Sequence, residues 1–183
     1  MLTIVSNLTI LACWLILFAY WIAKGRGVKP VVEQQSRAAT RTYRIPLLLG
    51  GILLWAHLRY SPVTQLWRAF GAAACAAGLL VAVWARRTLA GNWSRSVTFK
   101  QGHELVQAGP YRFARHPIYT GMLLMCSGSA IAGGRLHCWL GFLIICAGFW
   151  IKLRQEESLM LRHFPDGYPS YRARVKALVP FVI

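Results

Sequence analysis

The sequence predicts an all-α integral membrane protein of five transmembrane helices, with its N-terminus outside and its C-terminus in the cytoplasm. Three observations carry that expectation. Of 183 residues, 56% are hydrophobic and only 14% charged, and the mean hydropathy is +0.44. A soluble domain of this length carries more charge and breaks its apolar runs more often. The apolar residues gather in long runs separated by basic clusters, and those clusters fall unequally on alternate loops.

The first run, Ile4–Ala23, meets no charged residue until Lys24. A secretory signal peptide opens with a basic segment, so this run is expected to stay as a membrane helix. The second, Ile45–Leu58, is short: as a helix it rises roughly 21 Å against a hydrocarbon core of about 30 Å. Leu66–Ala85 is the third. Its Gly71, Ala72, Ala73, Ala74, Ala76, Ala77 and Gly78 suit close approach to a neighbouring helix. Ile118–Gly133 is the fourth, with Gly121, Gly128, Gly133 and Gly134 in the same role. Gly133-Gly134-Arg135 makes a tight turn into the fifth, Leu136–Ile151.

Charge decides whether the short second run spans. If all five do, Lys24, Arg26, Lys29, Arg37, Arg41 and Arg44 share one side with Arg86, Arg87, Arg95, Lys100, Arg112 and Arg115. The basic residues from Lys152 onward join them, leaving Arg59, Arg68 and Arg135 opposite. That is a strong positive-inside bias, and removing the second span destroys it. The net charge of +16 is therefore read as topogenic, and nucleic acid is not an expected partner, since a soluble basic face is missing. Residues 24–44 read as a plain basic loop beside anionic head groups. Cys13, Cys75, Cys126, Cys138 and Cys146 are dispersed, show no metal-ligand spacing and read as packing residues; no metal is expected.

Two polar features stand out on the cytoplasmic side. In Arg115-His116-Pro117, the proline suits the first turn of a helix and biases His116 away from helix. The start of the fourth helix is thereby fixed, and its positive end suits an anion such as a carboxylate. An interfacial belt of Arg, His and Tyr is the competing explanation. The second feature is Glu156-Glu157, two of only five acids, set where a helix dipole favours cations. Either the fifth helix continues as an amphipathic arm with these acids ion-paired, or something positive binds them. Together, the helix start and the acidic pair suit a zwitterion with an α-amino acid head.

Several spaced motifs then follow in order: Trp93-Ser94, His103-Glu104-Leu105-Val106, Gly109-Pro110-Tyr111, Arg115-His116-Pro117-x-Tyr119-x-Gly121, Glu156-Glu157, Phe164, Gly167-Tyr168 and Tyr171. This arrangement, covering about half the chain from Asn92 to Pro180, resembles the isoprenylcysteine carboxyl methyltransferase family, including its prokaryotic integral-membrane members. The resemblance implies S-adenosyl-L-methionine as methyl donor, in a cytoplasmic pocket that a helical C-terminal tail closes. It implies donor contacts at His103, Glu104, Leu105, Val106, Tyr111, His116, Pro117, Ile118 and Tyr119, with Glu156 near the methionine amino group. Lys152 stands where related enzymes carry a substrate-linked Arg, and a lysine lacks the planar fork of a guanidinium. Lys152, Arg154 and Glu157 are the candidates for orienting substrate.

The expected organisation is one membrane methyltransferase domain over 1–183, with three spans in 1–85 and the cofactor-binding catalytic region in 86–183. The expected acceptor is a lipophilic small molecule or lipidated substrate within the membrane, most fittingly a carboxylate, and the expected location is a prokaryotic inner membrane. Three other functions stand beside it: N-methylation of a phospholipid amine, nicotinamide-dependent reduction of the sterol-reductase type, and a non-enzymatic membrane scaffold.

Overall fold

Long apolar helices packed side by side dominate the computed structural model, which describes residues 2–25, 29–56, 63–94, 96–180 and 182. The helices are α1 (Leu2–Lys24), α2 (Arg37–Trp55), α3 (Gln65–Leu89), α4 (Pro117–Gly133), α5 (Leu136–His163) and α6 (Gly167–Arg174). Three segments are long and apolar enough to cross a membrane: Ile4–Lys24, Gln65–Asn92 and Leu136–His163. Arg26, Arg59 and Arg95, counted above among the topogenic charges, lie outside the described residues, as does Leu58.

Residues 24–44 are not the plain loop that their charge suggested. Val31–Gln34 forms a strand, β1, antiparallel to β2 (Thr98–Lys100), so a small ribbon interrupts the all-α expectation. Ser36 caps α2 by accepting a hydrogen bond from the Ala39 N–H. That cap starts the helix eight residues before Ile45. The resulting 19 residues rise about 28 Å, close to a hydrocarbon thickness.

Packing follows the small residues. α3 lies against α4 and α1, and α2 lies against α5. A Cβ added to Gly78 would sit 2.5 Å from the Gly121 carbonyl oxygen, and one added to Gly71 would sit 2.5 Å from that of Gly128. Backbone therefore meets backbone along α3 and α4, as small-residue seams in membranes allow. Gly50 and Gly141 make a similar contact between α2 and α5. Gly134, in left-handed conformation at φ 62°, caps α4 and turns the chain into α5. Large side chains such as Leu8, Leu15, Leu48, Ile52 and Leu80 remain exposed around the outside, which suits lipid.

Two features carry the chain beyond the apolar layer. α5 runs unbroken for 28 residues, about 42 Å, which exceeds a core of about 30 Å by roughly its last two turns, from about Glu156 to His163. The β-ribbon is pinned to this extension: Glu33 pairs with Arg162 at 2.8 Å and His163 at 2.7 Å. The His163 ring also stacks on Phe99 with centroids 3.6 Å apart. After α6 the chain returns to the entrance of α4. The N–H groups of Arg115 and His116 donate to the Lys176 and Ala177 carbonyls at 2.8 and 2.9 Å, and the Thr120 hydroxyl donates to the Leu178 carbonyl at 2.7 Å.

Candidate functional site

A cavity of about 800 Å³ lies where α1, α2, the entrance of α4, the extension of α5, the segment around Trp93–Val106 and α6 converge. Its size is in the range of small-molecule pockets. Phe18, Trp21, Leu47 and Met122 line one part, and a polar group built on α4 and α5 lines another.

That polar group begins with Pro117, which fixes the first turn of α4 and leaves His116 at the N-cap with φ −124°. Tyr119 stands on the first turn with its ring parallel to that of His116, 5.4 Å away. The Tyr119 hydroxyl donates to Glu156 Oε1 at 2.5 Å. His116 Nδ1 lies 3.5 Å from Glu156 Oε2, and its Nε2 lies 3.4 Å from Glu157 Oε1. Lys152, one turn before Glu156, brings Nζ to 4.0 Å from Glu156 Oε1 and over the rings of Tyr43 and Tyr119. Burial by itself lowers the His116 pKa, but Glu156 and Glu157 outweigh it and hold the ring above its ordinary 6.5. The anion beside this helix entrance is thus the chain's own acidic pair.

The two glutamates divide the work. Glu156 lines the cavity. Glu157 is buried and turned toward Arg115, whose Nη2 and Nε approach its Oε1 at 2.5 and 2.8 Å, with Arg172 Nε 3.6 Å from Oε2. The Arg115 guanidinium also donates to the carbonyls of Arg172 and Val175. Arg115 therefore holds the C-terminal segment, Glu157 and the entrance of α4 together.

Ten residues expected at the site line the cavity: His103, Glu104, Leu105, Val106, Tyr111, His116, Ile118, Tyr119, Lys152 and Glu156. Three do not. Pro117 acts through the geometry of the helix start, Glu157 is occupied by Arg115, and Arg154 falls on another face of α5, two residues beyond Lys152. Sequence reasoning missed the walls from the first half of the chain, including Phe18, Trp21, Tyr43 and Arg44, because apolar spans carry no spaced motif. Tyr168 and Tyr171 of α6 also line it, and the Tyr171 hydroxyl donates to the Tyr111 carbonyl at 2.6 Å. Burial pushes the Tyr171 phenol up to about 12, against the opposing influence of Arg115.

Five polar atoms on the cavity residues are buried without a hydrogen-bond partner among the described residues: Tyr43 Oη, Asn92 Oδ1, Thr98 Oγ1, His103 Nδ1 and His116 Nε2. Native interiors rarely leave such atoms unsatisfied, so they fit a polar ligand. Burial, reinforced by Lys29 and Lys100, lowers the His103 pKa and so favours the neutral ring.

Known proteins share this region. A family model described as phospholipid methyltransferase matches residues 66–167. The chain is similar to protein-S-isoprenylcysteine O-methyltransferase of Schizosaccharomyces pombe, 31% identical over 81 residues, 44% of this chain and 34% of the relative. The protein of that name from Rattus norvegicus is 28% identical over 117 residues, 58% of this chain and 41% of the relative. Protein-S-isoprenylcysteine O-methyltransferase B of Arabidopsis thaliana is 30% identical over 84 residues, 45% and 43% respectively. The chain spans less than half the length of each of these relatives.

Proposed function

The chain belongs to the phospholipid methyltransferase family, with isoprenylcysteine carboxyl methyltransferases among its relatives, and from that premise we propose that it transfers a methyl group from S-adenosyl-L-methionine to the carboxylate of a lipophilic acceptor within the membrane. The observation that carries this reading is the Tyr119–Glu156–His116 cluster with Lys152, set in a cavity whose described residues carry five unsatisfied polar atoms. The residues fit the donor: Glu156 is an acid for its ammonium group, and the buried amide, hydroxyl and imidazole atoms are partners for its nucleoside. When bound, the donor supplies a methyl group on a sulfonium.

The chain's own residues then have three tasks. Glu156 holds the donor's amino acid head, and Tyr119 and His116 fix the carboxylate in place. Lys152 and Arg44 are the cations that meet the acceptor. Arg44 lines the cavity, and its guanidinium has no hydrogen bond or ion pair among the described residues. It supplies the planar fork that Lys152 lacks. The apolar wall excludes water, which strengthens the attraction between opposite charges and strips the acceptor's hydration. A carboxylate with pKa of about 4 is already ionised at neutral pH, so positioning replaces general-base catalysis.

The same reading orients the chain. α1 to α5 span the membrane, the N-terminus lies outside, and the basic segments 24–44, 86–117 and 152–180 face the cytoplasm with α6 closing the cavity. The whole chain acts as one domain, the three N-terminal spans supplying the apolar wall and residues 86–183 the donor site. A prokaryotic inner membrane is the setting.

One observation favours a second reading, N-methylation of a phospholipid amine. An ammonium must lose a proton before attack, and the neutral His103 ring in the cavity wall is a base available for that step.

The test is transfer of labelled methyl from S-adenosylmethionine by the protein in vesicles. The acceptors are an S-prenylated cysteine with a free carboxylate, its amide, and phosphatidylethanolamine. A base-labile labelled ester from the first alone supports the proposal. Label on phosphatidylethanolamine alone replaces it with the second reading. Binding of NADPH without binding of S-adenosylmethionine overturns both. Arg44→Ala raises the KM for the carboxylate acceptor and leaves donor affinity unchanged.

A further inference from the structure

Behind the donor site, on the other face of α5, lies a second pocket of about 260 Å³ lined by Arg115, Arg154, Arg172 and Lys176 against a single acid, Glu157. That acid is already taken up by Arg115 at 2.5 Å. Among the described residues, neither Arg154 nor the Lys176 ammonium has an ion pair or hydrogen bond. Glu157 meets Arg115 and Arg172, so among the described residues the charge of Arg154 and Lys176 is left over at a concave space. Four cations brought together from α5, α6 and the segment after it repel one another, and a phosphate would relieve that repulsion.

The surroundings say where the phosphate comes from. The apolar part of the pocket pairs buried Leu153 and Ala177 with Trp150 and Val182, which are 46% and 65% exposed. Leu136, Leu140, Leu143 and Trp150 recur at helical spacing along one exposed stripe of α5. Arg154 lies one turn beyond Trp150 on the same stripe. From Leu136 to Trp150 the helix rises about 21 Å, comparable to the span of one bilayer leaflet. An apolar track of that length, ending in an aromatic ring and then a basic pocket, matches a membrane lipid better than a soluble anion.

We propose that this pocket binds the phosphate group of an anionic phospholipid, whose acyl chain lies along the Leu136–Trp150 stripe of α5. The site is separate from the cavity and does not rest on the methyl-transfer reading. Arg115 belongs to both linings. Lipid in the second pocket thus bears on the residue that fastens the C-terminal segment across the donor site.

Native mass spectrometry of the full chain in neutral detergent, with phosphatidylglycerol or phosphatidylcholine added, tests this. The expected result is one tightly retained phosphatidylglycerol and weaker retention of phosphatidylcholine. The Arg154→Gln, Lys176→Gln double variant should bind phosphatidylglycerol roughly 10- to 30-fold more weakly, at about fivefold per cation, while Arg154→Lys with Lys176→Arg retains it. The lipid-free unfolding midpoint reports whether the double variant is folded; should it fall, the single exposed substitution Arg154→Gln carries the comparison. Equal retention of the two lipids, or undiminished binding by a folded variant, overturns the proposal. Glycerol 3-phosphate binding as tightly as phosphatidylglycerol overturns the assignment to a membrane lipid.

Discussion

Tyr119 donates its hydroxyl to Glu156 Oε1 at 2.5 Å, joining the first turn of α4 to the part of α5 that extends beyond the apolar layer. The bond crosses between two helices and aims the carboxylate into the cavity. Hydrogen bonds to a charged partner contribute about 1.5–3 kcal/mol. Tyr119→Phe keeps the ring and removes only the donor, so it should weaken S-adenosylmethionine binding by roughly 10- to 100-fold. Isothermal titration of the purified protein checks this; unchanged affinity would show that the carboxylate needs no such support.

The adjacent acids should fail in different ways. Glu156→Gln removes the charge facing the cavity and is expected to reduce donor binding, with a smaller fall in unfolding temperature than Glu157→Gln produces. Glu157→Gln leaves the buried Arg115 without its counter-charge, a loss of about 3 kcal/mol or more. Its signature is a lowered unfolding midpoint. Measuring both quantities for both variants separates the roles, and identical profiles would refute the division.

His116 gives the stability a pH dependence of defined sign. Burial opposes its protonation, but Glu156 and Glu157 raise the folded-state pKa above the ordinary 6.5. Its contribution is therefore fully present below about pH 6.5 and is lost as pH climbs through the higher folded value. Thermal unfolding followed from pH 6 to 9 should show a decline that His116→Gln flattens.

The helix seams can be tested with two glycines. Gly78→Val places a side chain against the Gly121 carbonyl, where a Cβ would already stand 2.5 Å away. Overpacking of this kind costs typically 1–3 kcal/mol or more. At Gly51 an added Cβ meets nothing within 4 Å, so Gly51→Ala should be tolerated. Unfolding of both variants in the same detergent makes the comparison direct.

The long apolar runs marked the helices well because a membrane span needs uninterrupted hydrophobicity. α2 was the exception: its first two turns carry Arg37, Arg41 and Arg44, and charge hid helix that Ser36 caps. The strand Val31–Gln34 was illegible for another reason, since its partner lies more than sixty residues away and local sequence does not record that pairing. Half of the candidate site was readable because its residues sit at fixed spacing around Pro117 and on one turn of α5. Tyr43, Arg44 and Trp21 reach the cavity only through helix packing, which no local pattern encodes. The acidic pair was visible, but its diverging orientations were not: neighbours on a helix point about 100° apart.

The glycine contacts divide the helices by how tightly each is clasped. α3 is locked to α4 and α2 to α5, backbone against backbone, and neither pair can part without opening a seam along its length. α1 has no glycine at all and is held through side chains, with Phe18, Trp21 and Ile22 on the cavity wall. Should a bulky hydrocarbon need a doorway, the hinge is on α1, and the rest of the bundle is the frame.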